Sequence, residues 1–334
     1  MRKKRLLKQA WDHPLLRSAD PQVNSLIRLY RLDPPLNPFT KNRIVIDAAV
    51  AYGDLPNVKM IPAFHMLAKA LENGRLDGVH TIVEPTSGNF GSSVGLLASA
   101  FGIEHTVLYV KKDAPPGKIH TIEALPGVSI YKYDPGKGEN GLALAKREAE
   151  RSGVICLNQY GNWDNVQAHM KHTGPAIWET TQGMVTVLVA AAGSGGTLGG
   201  AGLFLKSKNP RIKTVRAVVS PGEEIPAGRT LKQIEEIVTI DYPPGTFDYT
   251  VPCGRHTAFL AALALGKQVH ARPGPTSGEA YQVALTWLEE RVRAGELDAM
   301  RNQNGFVHVV VVCPDSIELY AERVSGGTNY EQVR

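Results

Sequence analysis

The sequence alternates short β-rich runs with helical stretches from residue 79 onward. This alternation is typical of βα units, in which each helix crosses back over a parallel sheet. The predicted strands are residues 79–83, 106–110, 128–131, 154–157, 185–192, 214–220 and 306–312, and the predicted helices are 62–74, 91–101, 118–125, 139–151, 255–265 and 278–294. We therefore predict an α/β fold with mainly parallel sheets. Residues 1–40 and 221–254 show no pattern that assigns an element.

The strand–helix pattern falls into two series, one before and one after residue 160. A chain of 334 residues is longer than a single hydrophobic core usually holds. We therefore predict two three-layer α/β/α domains. The smaller domain takes residues 45–160, and the larger takes residues 1–44 and 161–334.

Composition and charge exclude several classes of protein. With 43% hydrophobic and 21% charged residues, the chain has enough apolar surface to fold. Its longest apolar runs are strand-sized, well short of the roughly 20 residues that span a bilayer, and no secretory h-region follows the basic start. Lysine and arginine are scattered, so the net charge of +5 does not indicate a nucleic-acid partner. Three widely spaced cysteines suggest neither disulfides nor zinc. We expect a cytoplasmic protein with small-molecule ligands.

A polar loop follows the first strand of the pattern, at Glu84-Pro-Thr-Ser-Gly-Asn-Phe-Gly91. It lies between a strand and a helix, the position at which open α/β sheets bind ligands. Thr86, Ser87 and Gly88 can present hydroxyl and N–H groups to a carboxylate, and a helix N-terminus favours negative charge. Asn89 can bond a neutral ligand atom. An ordinary capped turn is the alternative, because Ser and Asn are common N-cap residues.

A glycine loop, Gly193-Ser-Gly-Gly-Thr-Leu-Gly-Gly200, stands between an apolar strand and a helix in the second series. Glycines allow the backbone to approach phosphate oxygens, and the N–H groups and the Thr197 hydroxyl can bind them without a cation. A dinucleotide fingerprint is less favoured, because Leu198 takes its last glycine position and no acidic residue ends the next strand. A purely structural tight turn remains open.

Six segments in order along residues 55–320 resemble the cysteine synthase family. They are Lys59 before a helix, Glu84-Pro-Thr-Ser-Gly-Asn89, Asn158-Gln-Tyr-Gly-Asn162, His172-Thr-Gly-Pro-Ala-Ile-Trp-Glu179, Gly193-Ser-Gly-Gly-Thr197 and Thr276-Ser-Gly278. The chain is thereby similar to fold-type II pyridoxal phosphate enzymes, a tryptophan synthase β-like group that includes cystathionine β-synthase. The resemblance rests on the order and spacing of these six segments more than on any single segment.

The resemblance implies a role for each matched residue. Lys59 carries the cofactor, pyridoxal 5'-phosphate, in covalent linkage and acts as the catalytic base, and Asn89 bonds its 3-hydroxyl. The phosphate is held by Gly193, Ser194, Gly195, Gly196 and Thr197. The substrate carboxylate is bound by Thr86, Ser87, Gly88 and Gln159. Thr276 meets the pyridine nitrogen, with Ser277 as the alternative.

The implied activity is β-replacement on an activated serine, O-acetylserine or O-phosphoserine, with sulfide or another small nucleophile, in a homodimer. The alternatives are a serine or threonine dehydratase, a non-catalytic relative and a nucleotide-dependent oxidoreductase using the same glycine loop. Two departures from the family pattern bear on the substrate: the run Pro56-Asn-Val-Lys-Met-Ile-Pro62 differs around the lysine, and Phe90 replaces a common threonine.

Two other constellations are predicted to be structural. His169 and His172 share a face of a predicted helix, but no carboxylate or cysteine completes a ligand set, so we expect no metal site. Asp315 and Ser316 follow the last strand and are predicted to cap a final helix.

Overall fold

The structure is a computed structural model that describes residues 14–20, 26–51, 57–86, 88–114 and 116–320. The strands are β1 (Ile27–Arg31), β2 (Ile44–Ala51), β3 (Thr81–Pro85), β4 (His105–Lys111), β5 (Val128–Tyr133), β6 (Val154–Cys156), β7 (Val187–Ala191), β8 (Lys213–Val219), β9 (Tyr249–Cys253) and β10 (Val307–Cys313). Each strand of the predicted alternating pattern is present, within a few residues of the predicted bounds.

The α-helices are α1 (Pro14–Ala19), α2 (Met60–Glu72), α3 (Asn89–Ala98), α4 (Pro116–Glu123), α5 (Gly141–Glu148), α6 (Trp163–Ala168), α7 (Gly174–Thr180), α8 (Gly196–Lys208), α9 (Leu231–Ile237), α10 (Arg255–Leu265) and α11 (Pro275–Ala294). A π-helical segment, His169–Thr173, joins α6 to α7. Short 3₁₀ segments lie at Thr40–Asn42, Ser99–Phe101, Pro135–Lys137, Asp298–Met300 and Ile317–Tyr320. None of these described helices combines the length and the apolar character that crossing a bilayer requires.

The strands form two sheets. One has four parallel strands in the order β5-β4-β3-β6, and the other has six in the order β1-β2-β10-β7-β8-β9. In the larger sheet only the β1–β2 pair is antiparallel. The predicted α/β class with mainly parallel sheets is confirmed.

Both sheets are covered by helices on both faces. In β10, Val309 and Val311 pack into the cluster that contains the α11 residue Trp287, whereas Val310 and Val312 pack into the cluster that contains the α8 residue Leu198. Because side chains alternate across a strand, this division means that a helical layer lies on each side. The smaller sheet is divided in the same way between α4 and α5.

Three strands lie where the sequence pattern assigns none: β1, β2 and β9. The buried Asp47 interrupts the apolar run of β2. Its carboxylate accepts a hydrogen bond from His308 of β10 at 2.6 Å and also pairs with Arg31 of β1. β2 pairs in the larger sheet, whereas the division at residue 45 places it with the smaller domain. The two-domain division stays a prediction.

Candidate active site

The predicted ligand loops lie at the carboxyl ends of parallel strands. The loop after β3, the loop after β6 and the segment after β8 border a cleft of about 380 Å³ between the two sheets. Thr86 and Tyr160 line it from one side, and Gly228 and Arg229 line it from the other. A cleft at the carboxyl edge of α/β sheets is where such folds bind small molecules.

Lys59 stands immediately before α2 and is partly buried. Its backbone N–H donates to Asn57 Oδ1 at 2.9 Å, and the neighbouring Val58 N–H donates to the Pro314 carbonyl at 2.7 Å. These bonds tie the lysine loop to the end of β10. Desolvation, with a smaller effect of the Arg229 charge, lowers the pKa of Lys59 to about 8. An amine with this pKa is available as a nucleophile and base near neutral pH.

The glycine loop begins α8 as predicted. Gly195 is in the left-handed region, with φ of 81°, and Gly196 is the first residue of the helix. Ser194 and Thr197 are buried. The first N–H groups of a helix lack intrahelical partners and attract anions. The loop can therefore hold a phosphate by backbone donors and hydroxyls.

Asn165 of α6 connects the glycine loop with the loop after β6. Its Nδ2 donates to the Gln159 carbonyl at 2.8 Å and to Ser194 Oγ at 2.9 Å, and the side chain is fully buried. A Cβ on Gly196 would lie 2.4 Å from Asn165 Oδ1. Asn165 therefore fixes the two loops relative to each other, and residue 196 must be glycine for it to do so.

His169 lies behind the glycine loop. Its Nε2 is 3.2 Å from Thr197 Oγ1, and its Nδ1 is 2.8 Å from Thr173 Oγ1. Burial, reinforced by the Lys59 charge, holds the pKa of His169 well below its usual value, so the ring is neutral. If Nε2 carries the hydrogen, it donates to Thr197, and the Thr197 hydroxyl is directed to donate elsewhere. No group of three potential metal ligands occurs in the described part of the chain.

Asn89 is the first residue of α3, and its Nδ2 donates to Asp315 Oδ2 at 2.6 Å. The Tyr320 hydroxyl donates to the same carboxylate oxygen. Asp315 therefore orients the amide of Asn89. The Asn89 side chain also interacts with the Tyr320 hydroxyl. Its bond to a cofactor hydroxyl stays a prediction. A 3₁₀ segment, Ile317–Tyr320, follows Asp315, and the expectation that Asp315 and Ser316 cap a final helix stays a prediction.

Glu84 holds the loop after β6. Its two carboxylate oxygens accept hydrogen bonds from the backbone N–H groups of Asn158 at 2.9 Å and Gln159 at 3.0 Å. Gln159 is buried beside the cleft, and the loop turns through Asn158 with φ of 55°. Burial raises the pKa of Glu84 to about 7, although these hydrogen bonds oppose the shift. Glu84 thus positions the residue predicted to bind a substrate carboxylate.

A hydrogen bond joins Thr86 and Gly88. The Thr86 Oγ1 accepts from the N–H of Gly88 at 3.0 Å and from the N–H of Gly91 at 3.1 Å. The Thr86 hydroxyl hydrogen is thereby left to donate to a ligand, whereas the Gly88 N–H is already engaged. Ser87 lies outside the described residues. The carboxylate-binding roles of these residues stay predictions.

Comparison with known proteins decides the family. The model of the family described as "Pyridoxal-phosphate dependent enzyme" matches residues 55–315, most of the chain. This chain belongs to that family. It is 30% identical over 272 residues to a cysteine synthase from Aquifex aeolicus, covering 79% of this chain and 78% of the relative. It is also 30% identical over 269 residues to an O-acetylserine dependent cystathionine beta-synthase from Bacillus subtilis, covering 77% and 81%.

The fold agrees with that of solved members. A cysteine synthase from Entamoeba histolytica superimposes with a TM-score of 0.75 at 23% identity, over 96% of this chain and 94% of the other. The resemblance to the cysteine synthase and cystathionine β-synthase family is thereby confirmed. The chain is a pyridoxal phosphate-dependent enzyme, and the oxidoreductase alternative is set aside.

The site of this pyridoxal phosphate-dependent enzyme fits its cofactor. The glycine loop leaves its backbone exposed to a ligand because its glycines lack side chains. A Cβ on Gly195 would lie 2.8 Å from the Tyr242 hydroxyl, so a side chain at this position would displace Tyr242. Thr276 and Ser277, predicted to meet the pyridine nitrogen, are buried at the start of α11. The Gly274 N–H before them donates to the Asp315 carbonyl at 2.8 Å, which places this helix start beside the residue that orients Asn89.

Three residues of the site are not assigned a site role by the sequence pattern. They are Asn165, Arg229 and Asp315. Asp315 follows a predicted strand end, a position that could have marked it. Arg229 lies in the segment 221–254 that the pattern does not assign. Asn165 is a polar residue in a helix and acquires its role only through burial against other elements.

We expect the free energy of unfolding to fall as pH rises from about 4.5 to about 7, in part because of Glu84. In this window the folded chain keeps the Glu84 proton that the unfolded chain loses, so the folded state binds more protons. Glu84→Gln should reduce the slope by up to about 1.4 kcal/mol per pH unit. It should also destabilise by about 1–3 kcal/mol, because one loop N–H loses its acceptor.

Urea unfolding of the wild-type and Glu84→Gln chains at a series of pH values measures this difference. Glu235→Gln, at an exposed position on α9, is the control and should keep the wild-type slope. An unchanged slope in Glu84→Gln would contradict the assignment of the retained proton to Glu84.

Proposed function

We propose that this enzyme catalyses β-replacement on an activated L-serine with sulfide or another small nucleophile. The observation that carries the proposal is the Lys59 amine, whose pKa is lowered to about 8 by desolvation. The glycine loop at the start of α8 and the loop after β3 support it, because their N–H and hydroxyl groups suit a phosphate and a carboxylate. Bound pyridoxal phosphate supplies an electron sink that acidifies the α-hydrogen of an attached amino acid. Curated relatives named cysteine synthase and O-acetylserine dependent cystathionine beta-synthase support this reaction class.

The chain's own residues divide the work of this reaction. Lys59 attaches the cofactor and, once displaced, accepts the α-proton of the substrate as a general base. Residues 193–197 hold the phosphate, and Asn89 donates to the cofactor hydroxyl. Thr86, Ser87, Gly88 and Gln159 bind the substrate carboxylate. Thr276, with Ser277 as the alternative, lies at the pyridine nitrogen.

Arg229 favours a donor with an anionic substituent. Its guanidinium is half-buried in the cleft wall, donates to the Tyr160 hydroxyl at 2.8 Å, and lies 5.3 Å over the Tyr160 ring. Over the described ranges no carboxylate forms an ion pair with it, although its charge reaches Lys59. A positioned guanidinium binds a phosphate in bidentate geometry. We therefore propose O-phosphoserine as the preferred donor over O-acetylserine.

The cofactor-loaded enzyme tests the reaction directly. Its visible absorption should change when O-phosphoserine is added, and sulfide should restore the original spectrum and yield cysteine. Release of ammonia and a keto acid without a second substrate, faster than cysteine formation, would support the dehydratase instead. An absence of turnover with both donors would identify a non-catalytic relative and contradict the proposal.

We expect Arg229→Gln to lower kcat/KM for O-phosphoserine by about 10–100-fold, the size of a lost charge-assisted hydrogen bond. The value for O-acetylserine should change by only a few-fold, through the small effect of Arg229 on Lys59. Initial rates of cysteine formation with each donor give the comparison. Lys111→Ala, at an exposed lysine on the same cleft, is the matched control. An equal loss with both donors would show that Arg229 acts on structure and not on donor choice.

We also propose that the enzyme works as a homodimer in the cytoplasm. The three cysteines, Cys156, Cys253 and Cys313, are all unpaired, which suits a reducing compartment. The homodimer is proposed from the resemblance to the cysteine synthase family. Sedimentation of the loaded enzyme measures the oligomeric state.

A further inference from the structure

Tyr242 contacts the glycine loop but has no role in the proposed reaction. Its hydroxyl donates to the Ser194 carbonyl at 3.1 Å. Desolvation raises the pKa of Tyr242 above its usual value, with a smaller opposing effect of the Arg216 charge, so the hydroxyl keeps its hydrogen and remains a donor. The residue lies between α9 and β9, in a segment that is neither helix nor strand. A side chain from outside the glycine loop therefore binds a backbone oxygen of the loop.

The ring of Tyr242 fills a space that two glycines leave at the start of α8. A Cβ on Gly195 would lie 2.8 Å from the Tyr242 hydroxyl oxygen, and a Cβ on Gly199 would lie 2.5 Å from the ring atom Cε1. The two glycines are four residues apart, so they lie on the same side of the helix start. Gly199 belongs to the glycine run of the sequence but is not among the residues proposed to hold the phosphate. The contact with Tyr242 explains why this position has no side chain.

Packing and a hydrogen bond hold Tyr242 in this position. The rings of Phe247 and Trp163 pack against it, with ring centroids 5.0 Å and 6.0 Å away. Its segment is also tied to α8, because Lys206 Nζ donates to the Gly245 carbonyl at 2.6 Å. An aromatic side chain packed in this way has little rotamer freedom left. The Tyr242 hydroxyl is therefore a fixed donor.

The bond from Tyr242 determines where the next N–H group points. The peptide bond between Ser194 and Gly195 is trans, so the Ser194 carbonyl and the Gly195 N–H point in opposite directions. Because Tyr242 binds the carbonyl, the Gly195 N–H is directed away from Tyr242. No described residue accepts a hydrogen bond from this N–H. An N–H without a partner at the start of a helix is a donor available to an anion.

We propose that Tyr242 is a positioning residue for phosphate binding, whose hydroxyl holds the Ser194–Gly195 peptide so that the Gly195 N–H points at the phosphate of bound pyridoxal phosphate. The inference rests on the proposed function, because it requires the phosphate to lie in the loop of residues 193–197. Tyr242 acts through Gly195 and needs no contact with the cofactor. The direction of the N–H matters because hydrogen bonds weaken steeply as they depart from linearity.

Two side chains hold Ser194 from different elements. Asn165 Nδ2 donates to Ser194 Oγ at 2.9 Å, and Tyr242 donates to the carbonyl of the same residue at 3.1 Å. Residues 193–197 include no lysine or arginine, so their affinity for a phosphate depends on N–H and hydroxyl groups. Donors whose directions are fixed before the ligand arrives bind it more tightly. Loss of the Tyr242 hydroxyl should therefore weaken phosphate binding without removing any atom that contacts the phosphate.

A comparison of two cofactor forms tests this role. The dissociation constants of pyridoxal 5'-phosphate and of pyridoxal, which lacks the phosphate, are measured for the full-length wild type, Tyr242→Phe and Tyr249→Phe. Tyr242→Phe keeps the ring and removes only the hydroxyl. Tyr249→Phe removes a hydroxyl from β9, where the ring packs against Trp287, and is the matched control.

We expect Tyr242→Phe to weaken binding of pyridoxal 5'-phosphate by about 3–10-fold, the size of one hydrogen bond, and to leave the affinity for pyridoxal within about 2-fold of wild type. Tyr249→Phe should leave both affinities unchanged. An equal loss for both cofactor forms, or no loss for either, would overturn the inference alone. A wild-type chain that binds both forms equally well would overturn the proposed phosphate site together with the inference.

A second measurement covers the case in which Tyr242→Phe does not fold. Serine labelled with ¹³C at the carbonyl and glycine labelled with ¹⁵N mark the amides of Ser–Gly pairs in NMR spectra, and Ser194→Thr identifies the Gly195 signal by its disappearance. We expect pyridoxal 5'-phosphate to shift the Gly195 amide proton of the wild-type chain downfield and pyridoxal to leave it in place. A Gly195 signal that does not move with pyridoxal 5'-phosphate would overturn the inference.

Discussion

Replacing Lys59 by alanine is expected to abolish the covalent attachment of pyridoxal phosphate and to lower kcat for cysteine formation by about 10³-fold. Both effects follow from one amine, which attaches the cofactor and accepts the α-proton. The cofactor can still bind through the glycine loop, so the variant should take it up without covalent linkage. Visible spectra, borohydride reduction followed by mass measurement, and initial rates together test the expectation.

The structure explains why Lys59, and not an ordinary surface lysine, can attach the cofactor and act as the base. The loop of Lys59 is anchored to Asn57 and, through Val58, to Pro314 at the end of β10. Its pKa is lowered to about 8 by desolvation and by the Arg229 charge. Lys69, ten residues further on, pairs with Glu72 on the outside of α2. Lys69→Ala is therefore the matched control and should retain linkage and rate. Retention of the linkage in Lys59→Ala would overturn the assignment of the site.

The elements nearest the predicted ligand loops could be predicted from the sequence because they obey local rules. A short apolar strand, a loop rich in glycine or hydroxyl residues and a helix start follow one another at β3–α3 and at β7–α8. Each pattern is complete within about twenty residues of chain, so no distant partner is needed to recognise it.

The strand β2 could not be predicted in this way. It contains Asp47 in the middle of its run, and this carboxylate is compatible with a buried strand only because His308 and Arg31 are brought to it by β10 and β1. His308 is 261 residues away in sequence and Arg31 lies on a strand that the pattern does not assign, so the charge looks like an interruption of the strand. The same reason applies to Asp315, whose role depends on Asn89, more than two hundred residues away. Long-range pairing of buried charges is the part of the fold that local patterns do not contain.

Gly196→Ala is expected to lower the free energy of unfolding of the cofactor-free chain by about 2–4 kcal/mol, in the range of a lost buried hydrogen-bond network. The added Cβ would lie 2.4 Å from Asn165 Oδ1, so the amide must move. Moving it breaks the bonds from its Nδ2 to the Gln159 carbonyl and to Ser194 Oγ. We expect cofactor affinity to fall by about 10²-fold as well, because the two loops lose their common anchor.

Gly193→Ala is the matched control in the same loop. A Cβ at Gly193 would meet no atom of the described chain within 4 Å, and its φ lies outside the left-handed region. The unfolding free energy of the cofactor-free chain should therefore stay within about 0.5 kcal/mol of wild type. Urea titrations of both variants measure the contrast. Equal stabilities would contradict the idea that Asn165 makes glycine necessary at residue 196.

Asn165 can be separated from a general intolerance of the loop by a double-mutant cycle. If the clash with this amide causes the loss, Asn165→Ala alone should already destabilise the chain, since it removes the same two hydrogen bonds. Adding Gly196→Ala to it should then cost little more, because the smaller side chain leaves room for the new methyl group. The two changes should therefore be strongly non-additive. Additive losses would instead place the strain in the backbone of the glycine loop and remove Asn165 from its proposed role in joining the phosphate and carboxylate sites.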